Sequence, residues 1–288
     1  MHRRLSEMVK KEIAGFEWPK GYRCAATIAF DVDASSIDYR MWKNISGPLS
    51  QGDYGPRVGI PRIIDLLKKH DIKATFFIPG WVAERFPHRV KELYEQGHDV
   101  GGHMYLHEDS SELTHDQQLE IFRKTQKILG DITGAPSQGF RTVGPNWAPE
   151  TIKEMCRAGW RYASSTAATC FPSRARAGEE EINLLQIHLS WVLDDFRFFY
   201  CGPRGGAPGS GPPAFMPVSS FDDALEMWVA EFEDVYGIGG LYSLSCHPRA
   251  IGRPSRIRVL DKLIRYIKQY PDVWFVPVSK IADWVLSR

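Results

Sequence analysis

Short apolar runs alternate with amphipathic segments along most of this chain. Residues 23–31 form the first run, which is rich in β-branched and aromatic residues and stops abruptly at acidic ones, as a buried strand does. Residues 61–70 begin with a proline and place their Ile and Leu side chains on one face, which predicts a helix. The same alternation predicts strands at 73–78, 98–101, up to 141, 161–164, 184–189, 240–246 and 273–276, and helices at 89–95, from 114, 149–158, 221–236 and 256–270.

Strands that alternate with helices are typical of parallel βα units. About seven such units follow one another without a linker, which favours one closed or nearly closed barrel of the α/β class over two domains. We expect an N-terminal arm at residues 1–20 and a single barrel domain at residues 21–288. Two segments, 34–55 and 201–216, are rich in Gly, Pro and polar residues, and we expect them to be loops that shape a pocket.

The composition excludes several classes of partner. The chain has 36 Lys and Arg against 35 Asp and Glu, so its formal charge of +1 offers no basic surface for nucleic acid or an anionic membrane. No window reaches the about 18 consecutive apolar residues of a membrane span. The five cysteines are widely spaced without a CxxC pair, and the N-terminus lacks the apolar core of a secretory signal, so we expect a reducing, cytoplasmic location.

Candidate chemistry lies where the predicted strands end, because the reacting groups of a βα barrel collect at the carboxyl ends of its strands. The groups found there are two carboxylates, three imidazoles and one guanidinium: Asp31, Asp33, His103, His107, His247 and Arg141. They are far apart in sequence, so a barrel is needed to bring them to one mouth.

The two imidazoles at His103 and His107 are spaced for metal binding. Two histidines with one carboxylate from another strand and an open fourth position make a catalytic zinc arrangement. Asp31 and Asp33 share one face of their strand, so one can bind the cation while the other stays available as a base. The alternatives are solvated or helix-capping imidazoles, and aspartates that only form a turn at the strand end.

His247 and Arg141 have more than one interpretation. His247 suits a general acid because imidazole titrates near neutral pH, and the alternative is a hydrogen-bonded strand-end imidazole without a catalytic role. Arg141 suits a bidentate contact that orients Asp31, and the alternative is a pair with a surface carboxylate.

The aspartate pair, the histidine pair and three longer segments resemble the polysaccharide deacetylase family, carbohydrate esterase family 4. The segments are GIPRIIDLLKKHDIKATFFIPG, EQGHDVGGHMYLHE and SCHPRAIGRP, which are similar to the subgroup of peptidoglycan-deacetylase-like proteins, cyclic imide hydrolases and allantoinase-like enzymes. The resemblance implies a distorted seven-stranded (β/α) barrel that assembles as a homotetramer. It also implies zinc bound by Asp33, His103 and His107, with Asp31 as the catalytic base and His247 as the catalytic acid.

The chain departs from the family pattern at two places. Met104 follows the first metal histidine, where family members usually have Ser or Thr, and the third motif is Arg141-Thr-Val-Gly-Pro145. The Asp31-Val-Asp33 pair, which allantoinase-like relatives often lose, is intact. The resemblance therefore favours a metal enzyme.

These residues predict hydrolysis of a non-peptide amide C–N bond. We expect a small-molecule substrate, a cyclic imide or a ureide, because the sequence shows neither an export signal nor a carbohydrate-binding appendage. The predicted substrate-binding residues are Tyr105, Trp147, Trp191 and Asp195, for which core packing or a solvated turn is the alternative. The alternative functions are N-deacetylation of N-acetylated amino sugars and an inactive sugar-binding barrel with a structural metal.

Overall fold

The computed structural model describes residues 16–144, 147–166, 168–199 and 220–288. Within these residues, nine strands belong to one curled, mixed sheet. They are β1 (Cys24–Asp31), β2 (Thr75–Ile78), β3 (Asp99–Gly102), β4 (Gly139–Phe140), β5 (Tyr162–Ala163), β6 (Ser173–Ala177), β7 (Glu180–Gln186), β8 (Leu241–Cys246) and β9 (Val273–Phe275).

Seven parallel strands form the wall of the barrel, in the order β7-β5-β4-β3-β2-β1-β8. The strand β6 pairs antiparallel with β7 at one edge, and β9 pairs in parallel with the first residues of β1. The predicted α/β class and the seven-stranded (β/α) barrel are confirmed. The hairpin strand β6 is not predicted from the sequence. Only one of its side chains is buried, so it shows no alternating apolar pattern.

The segment that follows β7 meets β8, at the other edge of the sheet, through an isolated bridge that pairs Asp194 with Ser245. The N–H of Ser245 donates to the carbonyl of Leu193 at 2.8 Å, and the N–H of Asp195 donates to the carbonyl of Ser245 at 3.1 Å. We call this contact, residues 193–195 against Ser245, the seam.

Within the described residues, eleven α-helices connect and cover the strands: α1 (Ser36–Trp42), α2 (Ser46–Tyr54), α3 (Ile60–Lys69), α4 (Gly80–Arg85), α5 (Pro87–Glu95), α6 (His115–Thr133), α7 (Pro149–Arg157), α8 (Phe196–Phe199), α9 (Phe221–Ile238), α10 (Ile257–Ile267) and α11 (Val278–Leu286). Ile63, Ile64 and Leu67 form the buried face of α3, as the pattern predicts. Thr114 and Gln117 form a capping box at the start of α6. None of the helices in the described ranges is both long and apolar enough to cross a membrane.

Residues 34–55 are mostly helical, and the prediction of a loop there is wrong. They contain α1 and α2, although α2 has no apolar stripe. Contacts between α2 and the residues just before α1 hold this region instead. The Ser35 hydroxyl donates to Asp53, and Gly52 packs so closely against the backbone of Ala34 that a Cβ would not fit between them. Periodicity misses such helices because tertiary contacts, rather than local sequence, stabilise them.

Residues 16–20 of the predicted N-terminal arm pack against the barrel. Trp18 is buried in a cluster with Leu241 and Ile281, and its Nε1–H donates to the carbonyl of Gly239 at 2.8 Å. Residues 1–15 and the predicted loop 201–216 lie outside the described residues. The division into an arm and one domain stays a prediction.

We expect Gly139→Ala to destabilise the fold. A Cβ at Gly139 would lie 1.9 Å from Cζ of Tyr162, which is buried and donates its hydroxyl hydrogen bond to Asp99. Overpacking of this kind costs on the order of 1–3 kcal/mol, so the urea concentration at the midpoint of unfolding should fall.

Gly130→Ala, inside α6, is the matched control because its Cβ would meet its nearest neighbour at 3.6 Å, an ordinary contact. We expect it to stabilise the protein by about 0.5–1 kcal/mol. Equal midpoints for the two variants would contradict the close packing at β4.

Candidate metal and catalytic site

The carboxyl ends of β1, β3 and β8 meet at one mouth of the barrel. Asp31 is the last residue of β1, and Asp33 lies two residues beyond it. His103 directly follows β3, and His247 directly follows β8. Asp33, His103 and His247 are only 1%, 3% and 6% exposed, so their polar atoms must find partners inside the protein.

Asp33 lies between two imidazoles on one side of this mouth. Its Oδ1 is 3.4 Å from Nε2 of His103 and 3.5 Å from Nε2 of His107. Neither of its buried oxygens has a hydrogen-bond partner among the described residues. A buried carboxylate without hydrogen bonds is costly, and a cation shared with the two imidazoles would remove that cost.

The protonation states of these groups suit a cation. Burial alone would raise the pKa of Asp33, but His107, His103 and His247 outweigh it and hold that pKa well below its usual range. Burial lowers the pKa of His107 to about 4. An ionised carboxylate and a neutral imidazole are the forms that bind metal, and this donor set fits zinc or another divalent transition metal.

A hydrogen bond from the neighbouring strand fixes the orientation of the first imidazole. His103 Nδ1 lies 2.8 Å from the carbonyl oxygen of Arg141. A carbonyl can only accept, so Nδ1 carries a proton and Nε2 is the nitrogen that faces Asp33. Burial alone would lower the pKa of His103, but the carboxylates of Asp33 and Asp31 outweigh burial and raise that pKa, so the ring must lose its Nε2 proton when a metal binds. Outer contacts of this type orient metal-binding histidines in proteins.

The loop that carries His107 has an unusual backbone. Met104 and His107 have φ angles of 60° and 58°, in the left-handed region that non-glycine residues rarely adopt. The carboxylate of Glu108 holds the turn between them, because it accepts hydrogen bonds from the backbone N–H groups of Tyr105 and Leu106 at 3.0 and 2.8 Å. The Met104 side chain is fully buried in the hydrophobic core, which explains an apolar residue at this position.

A guanidinium holds Asp31 on the other side of the mouth. Nη1 of Arg141 donates to Asp31 Oδ1 at 2.9 Å and to the hydroxyl of Ser245 at 2.7 Å. Nη2 donates to the hydroxyl of Ser164 at 2.9 Å. The predicted contact between Arg141 and Asp31 is present, but it is single rather than bidentate because Ser164 takes the second arm.

A second carboxylate holds His247. Nδ1 of His247 is 2.6 Å from Asp195 Oδ1, while Asp195 Oδ2 accepts the backbone N–H groups of His247 and Ile251, each at 3.0 Å. The ring of Phe196 stacks on the imidazole with centroids 3.4 Å apart. Nε2 of His247 is thereby directed toward the mouth, 3.9 Å from Asp31 Oδ2.

The charge of His247 follows from these neighbours. Burial alone would lower its pKa, but the carboxylates of Asp195, Asp194 and Asp33 outweigh burial and raise the pKa to about 10. The imidazole is therefore protonated at neutral pH. A protonated imidazole with its Nε2–H facing the mouth has the form of a general acid.

A cleft of about 210 Å³ opens beside these groups. Asp31, Arg141 and Ser245 lie at its base, and Trp191 and Arg197 line it nearer the surface, where Trp191 is 52% exposed. Trp191 is therefore the one predicted substrate-binding residue that lines this cleft among the described residues.

The other three predicted substrate-binding residues lie elsewhere. Tyr105 donates to Glu84 at 2.8 Å and lies under the ammonium of Lys124, away from the cleft, because its loop turns outward at Met104. Trp147 packs against the hydrophobic core, which was its alternative interpretation. Asp195 is fully buried and holds His247, so its oxygens are already engaged.

Two residues of the site escape the sequence patterns: Ser164 and Ser245. The two serines lie at or just after strand ends and accept the hydrogen bonds of Arg141. Small polar residues at the ends of apolar strands are the signal that could have identified them.

We expect chelated protein to rebind one Zn²⁺ per chain through Asp33, His103 and His107. Asp33→Ala should weaken zinc binding by more than about 100-fold, measured by calorimetry, because it removes the carboxylate that the cation would satisfy. Asp195→Asn is the control, since Asp194, Asp195 and His247 form a second group of donor atoms within 4.8 Å of one another. If Asp195→Asn lost zinc binding while Asp33→Ala kept it, the metal would belong to the second group and the assignment to Asp33, His103 and His107 would be wrong.

Comparisons with known proteins find similar sequences. Residues 52–163 match the family model described as polysaccharide deacetylase. A peptidoglycan deacetylase from Helicobacter pylori is 29% identical over 266 residues, which cover 83% of this chain and 88% of that protein.

Solved structures show the same fold over nearly the whole chain. A protein from Mycobacterium smegmatis assigned as a polysaccharide deacetylase is 29% identical and superposes with a TM-score of 0.84. The match covers 94% of this chain and 93% of the mycobacterial chain. An allantoinase at 23% identity has a TM-score of 0.77, with 92% and 91% covered, which is a likeness of fold. The family model, the Helicobacter relative and the mycobacterial structure agree, so residues 52–163 match a polysaccharide deacetylase domain and the chain as a whole is similar to polysaccharide deacetylases.

Proposed function

We propose that this protein is a hydrolase that cleaves a non-peptide amide C–N bond with a divalent metal held by Asp33, His103 and His107. The observation that carries the proposal is the buried carboxylate of Asp33, which lies between two imidazoles and has no hydrogen-bond partner among the residues that the structure describes. Zinc fits a set of two histidines and one carboxylate best, and when bound it supplies Lewis acidity toward water and a substrate carbonyl.

Asp31 and His247 divide the proton transfers between them. Asp31 takes a proton from the attacking water, and Arg141 holds the carboxylate in place while it does so. His247 gives its Nε2 proton to the leaving nitrogen, while Asp195 holds Nδ1 and stabilises the charged ring before transfer. One proton is removed and one delivered: the oxygen of water bonds to the carbonyl carbon, the C–N bond breaks, and a carboxylic acid forms. The leaving nitrogen gains a hydrogen and becomes an amide or urea N–H when the substrate is a cyclic imide or ureide, and an amine when it is an N-acetyl group.

For the substrate, we propose a small cyclic imide or ureide. The cleft volume of about 210 Å³ supports this choice, since it lies below the roughly 300–1,000 Å³ of typical ligand pockets. The indole of Trp191 provides an apolar wall for a planar ring. A homotetramer and a cytoplasmic location stay predictions from the sequence.

The second candidate is N-deacetylation of N-acetylated amino sugars. It is favoured by the peptidoglycan deacetylase of Helicobacter pylori, whose likeness extends over 83% of this chain. Both reactions use the same proton transfers, so the shape of the cleft rather than the catalytic residues must decide between them.

We expect Asp31→Asn to bind zinc with unchanged affinity and to lose about 10²–10⁴-fold in kcat, because the amide cannot accept the proton of water. His247→Gln should lose a similar factor, since glutamine cannot protonate the leaving nitrogen. Asp65→Asn, on the exposed side of α3, is the control and should leave kcat unchanged. Wild-type turnover by zinc-loaded Asp31→Asn would refute the role of the base.

The two substrate classes can be separated by offering the zinc-loaded protein succinimide, hydantoin, allantoin and oligomers of N-acetylglucosamine. We expect ring opening of the small substrates and a raised KM in Trp191→Ala, which removes the apolar wall. Deacetylation of the oligomers without ring opening would reject the cyclic substrate. Tight zinc binding without any turnover would favour the inactive sugar-binding barrel.

A further inference from the structure

A second cavity, of about 400 Å³, lies on the same face of the barrel but is built from other residues. The loop that follows β8 forms most of it, with Gln51 from α2 and Phe199 from α8. Three arginines line it: Arg249, Arg253 and Arg256. No acidic side chain is among the described residues that line this cavity.

The three arginines differ in how their charge is balanced. Arg249 is buried and donates from both Nη atoms to the carboxylate of Asp38, at 2.7 and 3.2 Å. In the described part of the chain, no carboxylate lies within ion-pair distance of Arg253 or Arg256. Partial burial and the charges of Arg256 and Arg249 lower the pKa of Arg253, while Tyr54 opposes them, so the cavity is a region of positive potential.

Two aromatic rings, one amide and one backbone carbonyl hold the two unbalanced guanidinium groups, and the carbonyl is that of Arg249, which accepts from Nε of Arg253 at 3.3 Å. Arg253 lies over the ring of Tyr54 at 3.6 Å, and its Nη2 donates to Gln51 Oε1 at 2.7 Å. Arg256 lies over the ring of Phe199 at 5.8 Å. Stacking holds a guanidinium by its face and leaves N–H groups on its edge for an oxyanion, so little side-chain entropy would be lost on binding.

The end of a helix adds to the positive potential. Pro254, Ser255 and Arg256 line the cavity and directly precede the eleven-residue helix α10. The N–H groups of Arg256 and Ile257 already donate to the carbonyl of Arg253, at 3.1 and 3.0 Å, so the helix contributes the positive end of its dipole rather than free donors.

We propose that this cavity is a binding site for a small molecule that carries an oxyanion, a phosphate or a carboxylate, held between Arg253 and Arg256. The volume of about 400 Å³ is larger than a bare anion needs, so the rest of the molecule lies in the same cavity. None of its residues belongs to the metal or proton-transfer groups, and the proposal stands independently of the proposed function.

Calorimetric titration of the full-length protein with inorganic phosphate, and separately with succinate, at constant ionic strength tests the proposal. We expect saturable binding of at least one of the two anions. Arg253→Gln and Arg256→Gln should each weaken it by about tenfold or more, since each removes a charged donor. The control is Arg258→Gln, on the same helix but outside the cavity, which should change the dissociation constant less than about twofold.

The outcomes separate the two sources of oxyanion from nonspecific binding. If phosphate binds with the lower dissociation constant, the ligand carries a phosphate. If succinate binds with the lower dissociation constant, the ligand carries a carboxylate. The proposal is overturned if neither anion binds, or if Arg258→Gln weakens binding as much as the cavity variants. It is also overturned if binding disappears in His103→Ala and persists in Arg256→Gln, because the anion would then occupy the metal site.

Discussion

The buried guanidinium of Arg141 is the interaction on which the geometry of the mouth depends. A charge that is only 2% exposed must be paired, since an uncompensated ion inside a protein costs several kcal/mol. Its two Nη atoms reach Asp31 at the end of β1, Ser245 in β8 and Ser164 just after β5, and its carbonyl accepts from His103 after β3. One residue that follows β4 thus fixes groups from four other strands.

The balance of charge at the mouth explains why a cation fits there. The carboxylates of Asp31, Asp33 and Asp195 face the cations of Arg141 and His247, so negative charge is in excess. Asp31 and Asp195 are each bonded to one of these cations. The excess falls on Asp33, where the two imidazole nitrogens already converge. The same division separates the group that would hold a metal from the groups that move protons.

The sequence predicts the residues at this mouth better than their surroundings. The strand-end rule is sufficient for Asp31, Asp33, His103, Arg141 and His247, because parallel strands bring their carboxyl ends to one edge of the sheet. It is insufficient for side-chain direction, which depends on local backbone geometry.

Tyr105 and Asp195 illustrate this limit. Tyr105 is close in sequence to a candidate metal histidine, yet a left-handed residue beside it turns its ring to the outside. Asp195 was assigned to substrate, but burial directs both of its oxygens to His247 and the backbone. The helices in residues 34–55 depend on tertiary contacts, which no local pattern contains.

The seam contains both a residue that lines the cleft, Asp194, and the residue that holds His247, Asp195. Along it, residues 193–195 and Ser245 are joined by two backbone hydrogen bonds, whereas β1 is paired along its length with β8 on one side and with β9 and β2 on the other. The carboxylate of Asp195 adds three hydrogen bonds across the same line, to the imidazole of His247 and to the backbone N–H groups of His247 and Ile251. Asp194 lines the cleft and Asp195 holds His247, so any widening of the cleft along this line also moves the partner of the acid. The width of the cleft and the position of the imidazole are therefore set by the same short segment of backbone, residues 194–195.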